Sequence, residues 1–402
     1  MFNVTVPDHV PAELVHSFNV YELPPTADIF AEIAALHDSH PPIFYNTTPS
    51  MDRTFTRGAW NVTSMKLIQE IMRTPADFSS VGISGFNELI QMGYELMIPI
   101  DTDPPVHAQV RGLIREHLQP DNVAKLSGRI RELAKELVQQ SVDKGSSEFV
   151  ADVASIYPTQ MFLLLMGLPM EEADTFLEWE AHLLQPDPNN IEKTRDAIRK
   201  IVARVQRGFD EKRANPQDDL LTLLVNADLT DELRTGLGFN LFVGGLDTVM
   251  NQLAWLFKYI GERPELQQQL RGNPELIASS VEEVIRLHSI ITTRRFVTRD
   301  MEFHGVSFKK GDSVELHTAA GSMDPESFDN PHQADLSRKP NRHLAFGWGP
   351  HMCIGMHLAR LEMQILVEEW LNAIPQFTVV RPEELEFHVG IWGLNSLPLS
   401  WD

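Results

Sequence analysis

The sequence predicts a mainly α-helical fold with a minor β region, formed by one large domain over residues 1–402. Three observations lead to this prediction. Apolar residues recur at helical spacing over most of the chain, one apolar segment of about 30 residues lies in its middle, and alternating strand patterns cluster in short stretches. No Pro/Gly/Ser-rich linker, βαβ alternation or internal repeat interrupts this pattern.

Amphipathic helices are predicted where apolar residues recur at i, i+3, i+4 and i+7. Boundary signals accompany several of them. Asp103 and Pro104 are predicted as the N-cap and first residue of a helix, and Pro264 and Pro274 are predicted to open two more. The helical segments are ADIFAEIAALHDSH, TSMKLIQEIMR, VHAQVRGLIREHL, KLSGRIRELAKELVQQSV and PELIASSVEEVIRLH.

Strands are predicted mainly after residue 294. The stretch RFVTRDMEFHGVSFKKGDSVELHTA alternates between apolar and polar residues and has turn glycines at Gly305 and Gly311. This pattern is typical of a small antiparallel sheet. PIFYNTT and FTVVRPEELEFHVG are further strand candidates.

The segment LTDELRTGLGFNLFVGGLDTVMNQLAWLFKYIG predicts a single helix about 45 Å long. Its middle is apolar nearly all round, so the helix should cross the protein centre. Gly244 and Gly245 each cost about 1 kcal/mol there relative to alanine. Asp247 and Thr248 require hydrogen bonds in such surroundings. A bond from Thr248 to a carbonyl four residues earlier would explain the threonine, but not the aspartate.

The charge of the chain bears on its partners and location. A formal net charge of −22 argues against nucleic acid as a partner, although a local basic patch remains compatible with it. The first residues resemble neither a signal peptide nor a membrane anchor, and no window reaches about 20 apolar residues. One cysteine suits a reducing, cytoplasmic setting.

That cysteine, Cys353, lies in FGWGPHMCIG, where Gly347, Gly349 and Pro350 exclude a helix interior. The amphipathic segment that follows places the thiol at a helix N-terminus, which predicts a lowered thiol pKa. Three interpretations are open: a nucleophile, a metal ligand or an inert buried cysteine. Zinc needs more ligands than this loop offers, whereas haem iron needs one protein ligand on one face.

The fixed positions of this loop resemble the haem-binding signature F-G-x-G-x-H-x-C-x-G of the cytochrome P-450 superfamily. They are Phe346, Gly347, Gly349, His351, Cys353 and Gly355. The resemblance extends from about residue 25 to Asp402 and is strongest to the bacterial camphor-hydroxylating class. It implies a triangular, mainly α fold whose long central helix lies over haem b, with Cys353 as the iron ligand. Trp348 occupies a variable position, with a role in packing or on a partner face.

Three distant motifs extend the resemblance. Glu283 and Arg286, with Arg338, match a buried structural network. In GGLDT, the resemblance implies that the glycines leave room for dioxygen and that Asp247 and Thr248 deliver protons for O–O cleavage. The implied haem-binding residues, four of them donors to the haem propionates, are His107, Arg111, Arg295 and His351, together with Gly244, Gly245, Phe346, Ile354 and Gly355.

The substrate side departs from the camphor class. The stretch GFNELIQMGYELMIPIDTDPP of this chain is two residues longer than the corresponding stretch of that class. Tyr94 is therefore only adjacent to the position that anchors the ketone, which falls at Glu95 or Leu96. Asn240 could donate a hydrogen bond to a carbonyl, or could be satisfied within its helix or by water. We expect a terpenoid or norisoprenoid substrate, such as an ionone- or camphor-like ketone. The expected pocket residues are Phe86, Tyr94, Leu96, Asn240, Val243, Ile291, Ile391 and Trp392.

The resemblance implies insertion of one oxygen atom of O2 into a C–H bond. The chain has no flavin or iron–sulfur motif, so electrons should come from a [2Fe–2S] ferredoxin and its NAD(P)H-dependent reductase. A basic patch of Arg115, Arg338, Lys339 and Arg342 is expected to receive it. A monomer is expected. A haem-thiolate gas sensor and an H2O2-driven peroxygenase are alternatives, and Asp247 with Thr248 argues against both.

Overall fold

The structure is a computed structural model that describes residues 4–48, 58–85, 93–184 and 190–402. Phe86 of the expected substrate pocket lies outside the described residues. The described chain is mainly α-helical with a smaller β region, which confirms the predicted fold class. No helix in these four ranges is both long enough and apolar enough to cross a bilayer.

Helices account for most of the described chain. In order they are α1 (Ile29–Ala34), α2 (Leu36–Ser39), α3 (Met65–Arg73), α4 (Val106–Arg115), α5 (Pro120–Ala124), α6 (Ser127–Lys144), α7 (Ile156–Met166), α8 (Ala173–Leu184), α9 (Ile191–Ala214), α10 (Leu220–Asn226), α11 (Asp231–Gly261), α12 (Pro264–Gly272), α13 (Ile277–Leu287), α14 (Thr318–Ser322) and α15 (Met356–Ala373).

The strands are short, and the predicted cluster after residue 294 contributes four of them. They are β1 (Val15–His16), β2 (Ile43–Asn46), β3 (Ala59–Val62), β4 (Phe78–Ser79), β5 (Ser146–Glu148), β6 (Thr292–Val297), β7 (Met301–Phe303), β8 (Val306–Phe308), β9 (Ser313–His317), β10 (Thr378–Val379), β11 (Phe387–His388), β12 (Gly393–Leu394) and β13 (Pro398–Ser400).

The largest sheet is mixed rather than purely antiparallel. Its strand order is β1-β2-β3-β9-β6-β4. β6 and β9 pair antiparallel as predicted, but β9 also pairs parallel to β3, and β1 pairs parallel to β2. The alternating pattern indicates which faces of the strands are buried, whereas the partner of an outer strand depends on distant residues.

The central helix α11 begins and ends close to the predicted positions. Thr230 is its N-cap, and the Thr230 hydroxyl accepts a hydrogen bond of 3.3 Å from the Leu233 amide. Apolar clusters pack on two sides of the helix, one around Leu253 and Phe257 and one around Phe239 and Phe242. A helix with apolar residues on nearly every face is buried in this way.

The predicted start of α4 is wrong by two residues. The helix begins at Val106, with Pro105 as its N-cap. Pro104 cannot be its first residue, because the ring of the following proline disfavours helical backbone angles there. The Asp103 carboxylate instead accepts hydrogen bonds from Ser79 Oγ at 2.6 Å and the Ser80 amide at 3.0 Å.

Pro264 and Pro274 were each predicted to open a helix, and the two predictions have different outcomes. Pro264 occupies the first turn of α12, as predicted. Pro274 opens a 3₁₀ turn, Pro274–Leu276, which leads into α13.

Candidate active site

The Cys353 loop is a tight, glycine-dependent turn. Gly347 and Gly349 have φ values of +69° and +68°, which glycine adopts without steric cost. A Cβ atom on Gly349 would lie 2.6 Å from the Met72 carbonyl oxygen of α3. The Cys353 amide donates a hydrogen bond of 2.7 Å to the Phe346 carbonyl, which closes the loop.

The Cys353 thiol lies two residues before the N-cap of α15, Gly355. Burial raises the pKa of the Cys353 thiol, while the amides of Gly355 and Met356 and the guanidinium groups of Arg111 and Arg360 lower it. The net direction is upward, so the predicted lowering is wrong for the polypeptide alone: desolvation outweighs the helix terminus. A coordinated metal cation deprotonates a thiol in such a position.

Cys353 is also solvent-accessible, although burial dominates its pKa. A residue that is both accessible and deep within the protein borders an internal cavity. The next residue, Ile354, packs against the apolar cluster that includes Leu246 and Val243 of α11. Cys353 and the middle of α11 therefore face the same interior region.

The sequence did not predict the positive charge of Arg360, which lies beside the loop residue Phe346. The Arg360 guanidinium lies 4.4 Å from the centroid of the Phe346 ring and donates hydrogen bonds of 2.6 and 2.7 Å to Glu282. His343 also bonds Glu282, at 3.0 Å. Burial alone would raise the pKa of Glu282, but His343 and Arg360 lower it to about 2. The only sequence signal was a basic residue two turns after the cysteine.

The Glu283 network lies in the core, as the resemblance implied. Arg286 and Glu283 are 0% and 1% exposed and form a double hydrogen bond of 2.9 and 3.0 Å. Arg338 adds a bond of 3.1 Å to Glu283. The remaining donors to Glu283 are the Asn341 side chain and the Asp335 amide, and Arg286 also donates to the carbonyls of Ser322, Pro331 and Gln333.

Four basic side chains meet at the edge of the loop. The rings of His107 and His351 lie 4.1 Å apart, and the Nε2 atom of each is buried without a hydrogen-bond partner in the described part of the chain. Burial, together with Arg295, His107 and Arg111, lowers the pKa of His351 to about 3, and burial lowers the pKa of Arg295 to about 10. Arg111 donates to the Met352 carbonyl. Unfilled donors and mutual repulsion indicate a site for an anionic group.

The middle of α11 is open. Gly244 and Gly245 are exposed, although the helix is otherwise buried over most of its length. A Cβ atom on Gly245 would meet no atom within 4 Å, and one on Gly244 would meet only Asn240 Oδ1, at 4.0 Å. The two glycines therefore border an open space.

Asp247 and Thr248 follow these glycines. Asp247 is 8% exposed and accepts a hydrogen bond of 2.5 Å from the Asn251 amide group. Burial raises the pKa of Asp247 to about 7, with Asn251 opposing. The Thr248 hydroxyl donates to the Gly244 carbonyl at 2.8 Å, the bond that the helix alone would explain. Asp247 also has a partner within the helix, Asn251, but this bond does not offset the burial of its carboxyl group, since the net pKa shift is upward.

The expected substrate residues fall into three groups. Tyr94, Leu96 and Val243 belong to the apolar cluster around Phe242, where Leu96 is fully buried. Ile291 and Ile391 pair across an antiparallel bridge, and the neighbouring Trp392 is 2% exposed within the other large cluster. Asn240 is 9% exposed, and its Oδ1 atom is buried without a partner.

Two buried carboxyl groups were also missed from the sequence. Glu180 on α8 and Glu362 on α15 are 4% and 2% exposed. Burial raises the pKa of each to about 8. A glutamate in a helical pattern normally indicates a solvated face, so only its position within the apolar stripe could have marked either one.

These residues fit the haem that the resemblance implies. Cys353 offers one thiol ligand, and an open space lies beside Gly244 and Gly245. The His107 and His351 donors, with Arg111 and Arg295, suit two carboxylates at the edge.

Comparison with known proteins agrees with this geometry. A family model described as cytochrome P450 matches residues 170–379. The probable cytochrome P450 127A1 of Sinorhizobium fredii is 32% identical, over 98% of this chain and 97% of that protein. Mycinamicin IV hydroxylase/epoxidase of Micromonospora griseorubida is 32% identical, over 75% of this chain and 79% of that protein.

The crystal structure of CYP101J2 superposes with a TM-score of 0.87 at 26% identity, covering 99% of this chain and all of the other. The fold, the full-length relatives and the family model agree. Cys353 and the four basic side chains at the edge of its loop suit haem b, the cofactor of the family. The chain therefore belongs to the cytochrome P450 family and is a P450 monooxygenase.

Proposed function

We propose that this monooxygenase hydroxylates a C–H bond of a terpenoid or norisoprenoid ketone, with Cys353 as the iron ligand and a [2Fe–2S] ferredoxin as electron donor. The observation that carries the proposal is the open stretch of α11, where two exposed glycines precede a buried aspartate and a threonine. A gas sensor would need the cysteine but not this acid–alcohol pair.

The cofactor would be held from two directions. Cys353 would ligate the iron, while the amides of Gly355 and Met356 moderate the charge on the sulfur. His107, Arg111 and Arg295, with His351, would bind the propionates, and the Nε2 atoms of the two histidines have no other partner among the described residues. Bound haem supplies the activation of O2 and the oxygen transfer, and the polypeptide supplies orientation, protons and an apolar site.

Proton delivery is assigned to Asp247 and Thr248. A carboxyl group whose pKa is about 7 is populated in both protonation states near neutral pH, so it can release and regain a proton within a turnover. The Thr248 hydroxyl donates to the Gly244 carbonyl, and its oxygen remains able to accept a hydrogen bond from a group in the cavity.

Thr248→Ala tests this assignment. NADH consumption should continue, because substrate and electron entry are untouched, while the product formed per NADH falls and peroxide accumulates. Thr194→Ala is a matched control, because Thr194 of α9 is 2% exposed and its hydroxyl also donates to a backbone carbonyl, that of His182. Wild-type product per NADH in Thr248→Ala would show that the threonine has no part in proton delivery.

The ketone is assigned to Asn240. Asn240 precedes Gly244 by one turn of α11, and its side chain borders the open space. The Oδ1 atom has no hydrogen-bond partner among the described residues. The amide NH2 group can donate to a carbonyl oxygen, and such a bond contributes about 0.5–1.5 kcal/mol.

Spectral titration of the ferric enzyme would test the substrate class. Ionone-type ketones should shift the iron from low to high spin, and Asn240→Leu should weaken their binding by about threefold to tenfold. The corresponding hydrocarbons without the carbonyl should bind the variant and the wild type alike. A spin shift with mycinamicin IV alone, or with none of the terpenoid and norisoprenoid ketones, would contradict the proposed class.

The assignment of a ferredoxin as electron donor rests on a basic groove beside the cysteine loop. The groove has a volume of about 1150 Å³. Arg73 of α3 lies 5.2 Å from the centroid of the Trp348 ring, which gives Trp348 a place in this surface. Basic residues against a net charge of −22 suit an acidic partner. The charged lining residues are Lys66, Arg73, Arg338, Lys339 and Arg342, with Asp329 and Asp335.

A further inference from the structure

Arg360 on α15 places a positive charge beside the cysteine loop, outside the group of basic side chains assigned to the propionates. The Arg360 guanidinium lies 4.4 Å from the centroid of the Phe346 ring. The Arg360 side chain is 25% exposed, so water screens its charge only in part. A guanidinium group over an aromatic face is attracted by the ring electrons. This contact therefore joins a charge on α15 to the first residue of the cysteine loop.

The backbone of Phe346 connects the Arg360 contact to Cys353. The Phe346 carbonyl accepts the hydrogen bond of 2.7 Å from the Cys353 amide that closes the loop. Arg360 follows Cys353 by about two helical turns, and side chains on a helix point back toward its N-terminus. The Arg360 charge is thus directed from α15 toward the loop, and one ring and one hydrogen bond connect it with the cysteine.

Glu282 of α13 holds Arg360 in this orientation. Arg360 donates to the two carboxylate oxygens of Glu282, at 2.7 Å from Nε and 2.6 Å from Nη2, and such a bidentate pair fixes the plane of the guanidinium. His343 Nε2 lies 3.0 Å from the same carboxylate, and the Ala345 amide donates to His343 Nδ1 at 3.2 Å. Because Nδ1 accepts, the proton of a neutral His343 ring is on Nε2 and faces Glu282. Glu282 therefore both orients Arg360 and offsets part of its charge.

The neighbouring acid on α13, Glu283, has a different set of contacts. Its arginine partners, Arg286 and Arg338, lie 5.1 and 5.6 Å from the centroid of the Phe328 ring, which is outside the cysteine loop. Successive acids on α13 therefore hold arginines that face different segments. The Glu283 network connects α13 to the segment around Phe328, whereas Arg360 connects α13 and α15 to the cysteine loop.

We propose that Arg360 is a positioning residue that raises the reduction potential of the bound iron through its charge beside Phe346, and that Glu282 limits this effect. The inference rests on the proposed role of Cys353 as the iron ligand. In the reaction concerned, one electron passes from the reduced ferredoxin to ferric iron, which becomes ferrous; no bond breaks and no proton moves. The ferrous site has one more negative charge than the ferric site, so a nearby positive charge favours it and a nearby negative charge opposes it.

Potentiometric titration of the substrate-free holoenzyme with dithionite and dye mediators tests the proposal. No protein partner is present, so a docking role of Arg360 would not change the result. Arg360→Gln should lower the equilibrium constant of reduction by on the order of tenfold, which is about 59 mV for a one-electron couple. Glu282→Gln should raise it by about threefold to tenfold, because the Arg360 charge is no longer offset. Shifts in the same direction, or no shift in Arg360→Gln, would overturn the proposal.

Two further variants separate the charge of Arg360 from its packing and from the general loss of an ion pair. Arg360→Lys keeps the charge but not the planar fork, so its equilibrium constant of reduction should stay within about threefold of the wild type. Arg204 of α9 forms a bidentate pair of the same kind with Glu172, at 2.6 and 2.9 Å, and Arg204→Gln should leave the potential unchanged. A fall in either variant as large as that in Arg360→Gln would overturn the proposal.

The absorption spectrum of the reduced carbon monoxide complex separates this inference from the proposed function. A red-shifted Soret band in the wild type and the variants would show that the thiolate is the iron ligand in each. Absence of this band in the wild type would overturn the role of Cys353 itself. The band retained in Arg360→Gln and Glu282→Gln, with unchanged potentials, would overturn the role of Arg360 alone. If Arg360→Gln fails to bind haem, Glu282→Gln decides, since a potential at or below that of the wild type would overturn the inference.

Discussion

Two pairs of acidic residues differ in what neutralises them. On α13, Glu282 and Glu283 bind His343, Arg360, Arg286 and Arg338. Among the described residues, the side chains of Glu180 on α8 and Asp247 on α11 contact only hydroxyl and amide groups. His343 and Arg360 lower the pKa of Glu282 to about 2, whereas burial raises the pKa of Glu180 to about 8 and that of Asp247 to about 7. A paired acid stabilises structure, and an unpaired one is available to exchange a proton.

The largest effect should follow from breaking the paired region. Glu283→Gln leaves the Arg286 guanidinium, which is 0% exposed, without its counter-charge. Removing one partner of a buried pair costs about 3–5 kcal/mol, so the unfolding free energy in denaturant titrations should fall by that amount. Product per NADH of the folded fraction should not change.

The matched control for this change is an exposed pair. Arg381 and Glu384 are 68% and 58% exposed and 2.8 Å apart. Glu384→Gln should cost less than about 1 kcal/mol. Equal losses of unfolding free energy in Glu283→Gln and Glu384→Gln would show that the α13 network stabilises the protein no more than an exposed ion pair does.

The contributions of Glu180 and Glu282 to the unfolding free energy should change with pH in opposite directions. The pKa of Glu180 rises from 4.5 to about 8 on folding, so its contribution is complete below about pH 4.5 and is lost as pH rises toward 8. Across that range the unfolding free energy of the wild type should fall more steeply than that of Glu180→Gln, by about 1.4 kcal/mol per pH unit. Denaturation between about pH 5 and pH 7.5 measures this difference, and parallel slopes would contradict it.

Glu282 should behave in the opposite way. Its pKa falls from 4.5 to about 2 on folding, so its stabilising contribution is present above about pH 4.5 and is lost as pH falls toward 2. Glu282→Gln should therefore change the slope only in acid. A changed slope near neutral pH would indicate that Glu282 is not held by its cations.

The smallest expected effect is on the KM for ferredoxin, through the basic groove beside the cysteine loop. Arg342→Glu should raise the KM for a [2Fe–2S] ferredoxin by about fivefold at low salt, because an exposed charge contributes to steering, and the effect should vanish at high salt. Peroxide-driven turnover should be unchanged. Lys193→Glu on α9 is the control, since Lys193 is exposed away from the groove. Equal effects of the two substitutions would exclude a docking role for Arg342.

Each region could be foreseen from the sequence only in part. Cys353, Glu283 and Arg286 lie in motifs whose spacing is local, and Asp247 lies in α11, which follows from a continuous apolar pattern. Glu282 with Arg360, and Glu180, have no such signal. The burial of Glu180 depends on how α8 packs against α7 and α11 through Phe176, which residue spacing within α8 does not determine.

The two errors have different origins. The thiol pKa was predicted from the helix terminus, but desolvation by distant residues outweighs that effect. The start of α4 was predicted too early because Pro105 disfavours helical backbone angles at Pro104, a local effect. The Asp103 carboxylate then bonds the distant segment at Ser79 and Ser80 instead of capping the helix.

The most direct measurement for the unpaired acids is the product formed per NADH by Asp247→Asn, alongside its unfolding free energy. We predict a fall in productive turnover of about 100-fold or more, with NADH diverted to peroxide, because a general acid is lost. The unfolding free energy should stay within about 1 kcal/mol of the wild type, since no ion pair is broken and Asn251 can still bond the new amide. Wild-type product per NADH, or a stability loss as large as that of Glu283→Gln, would contradict the assignment of proton delivery to Asp247.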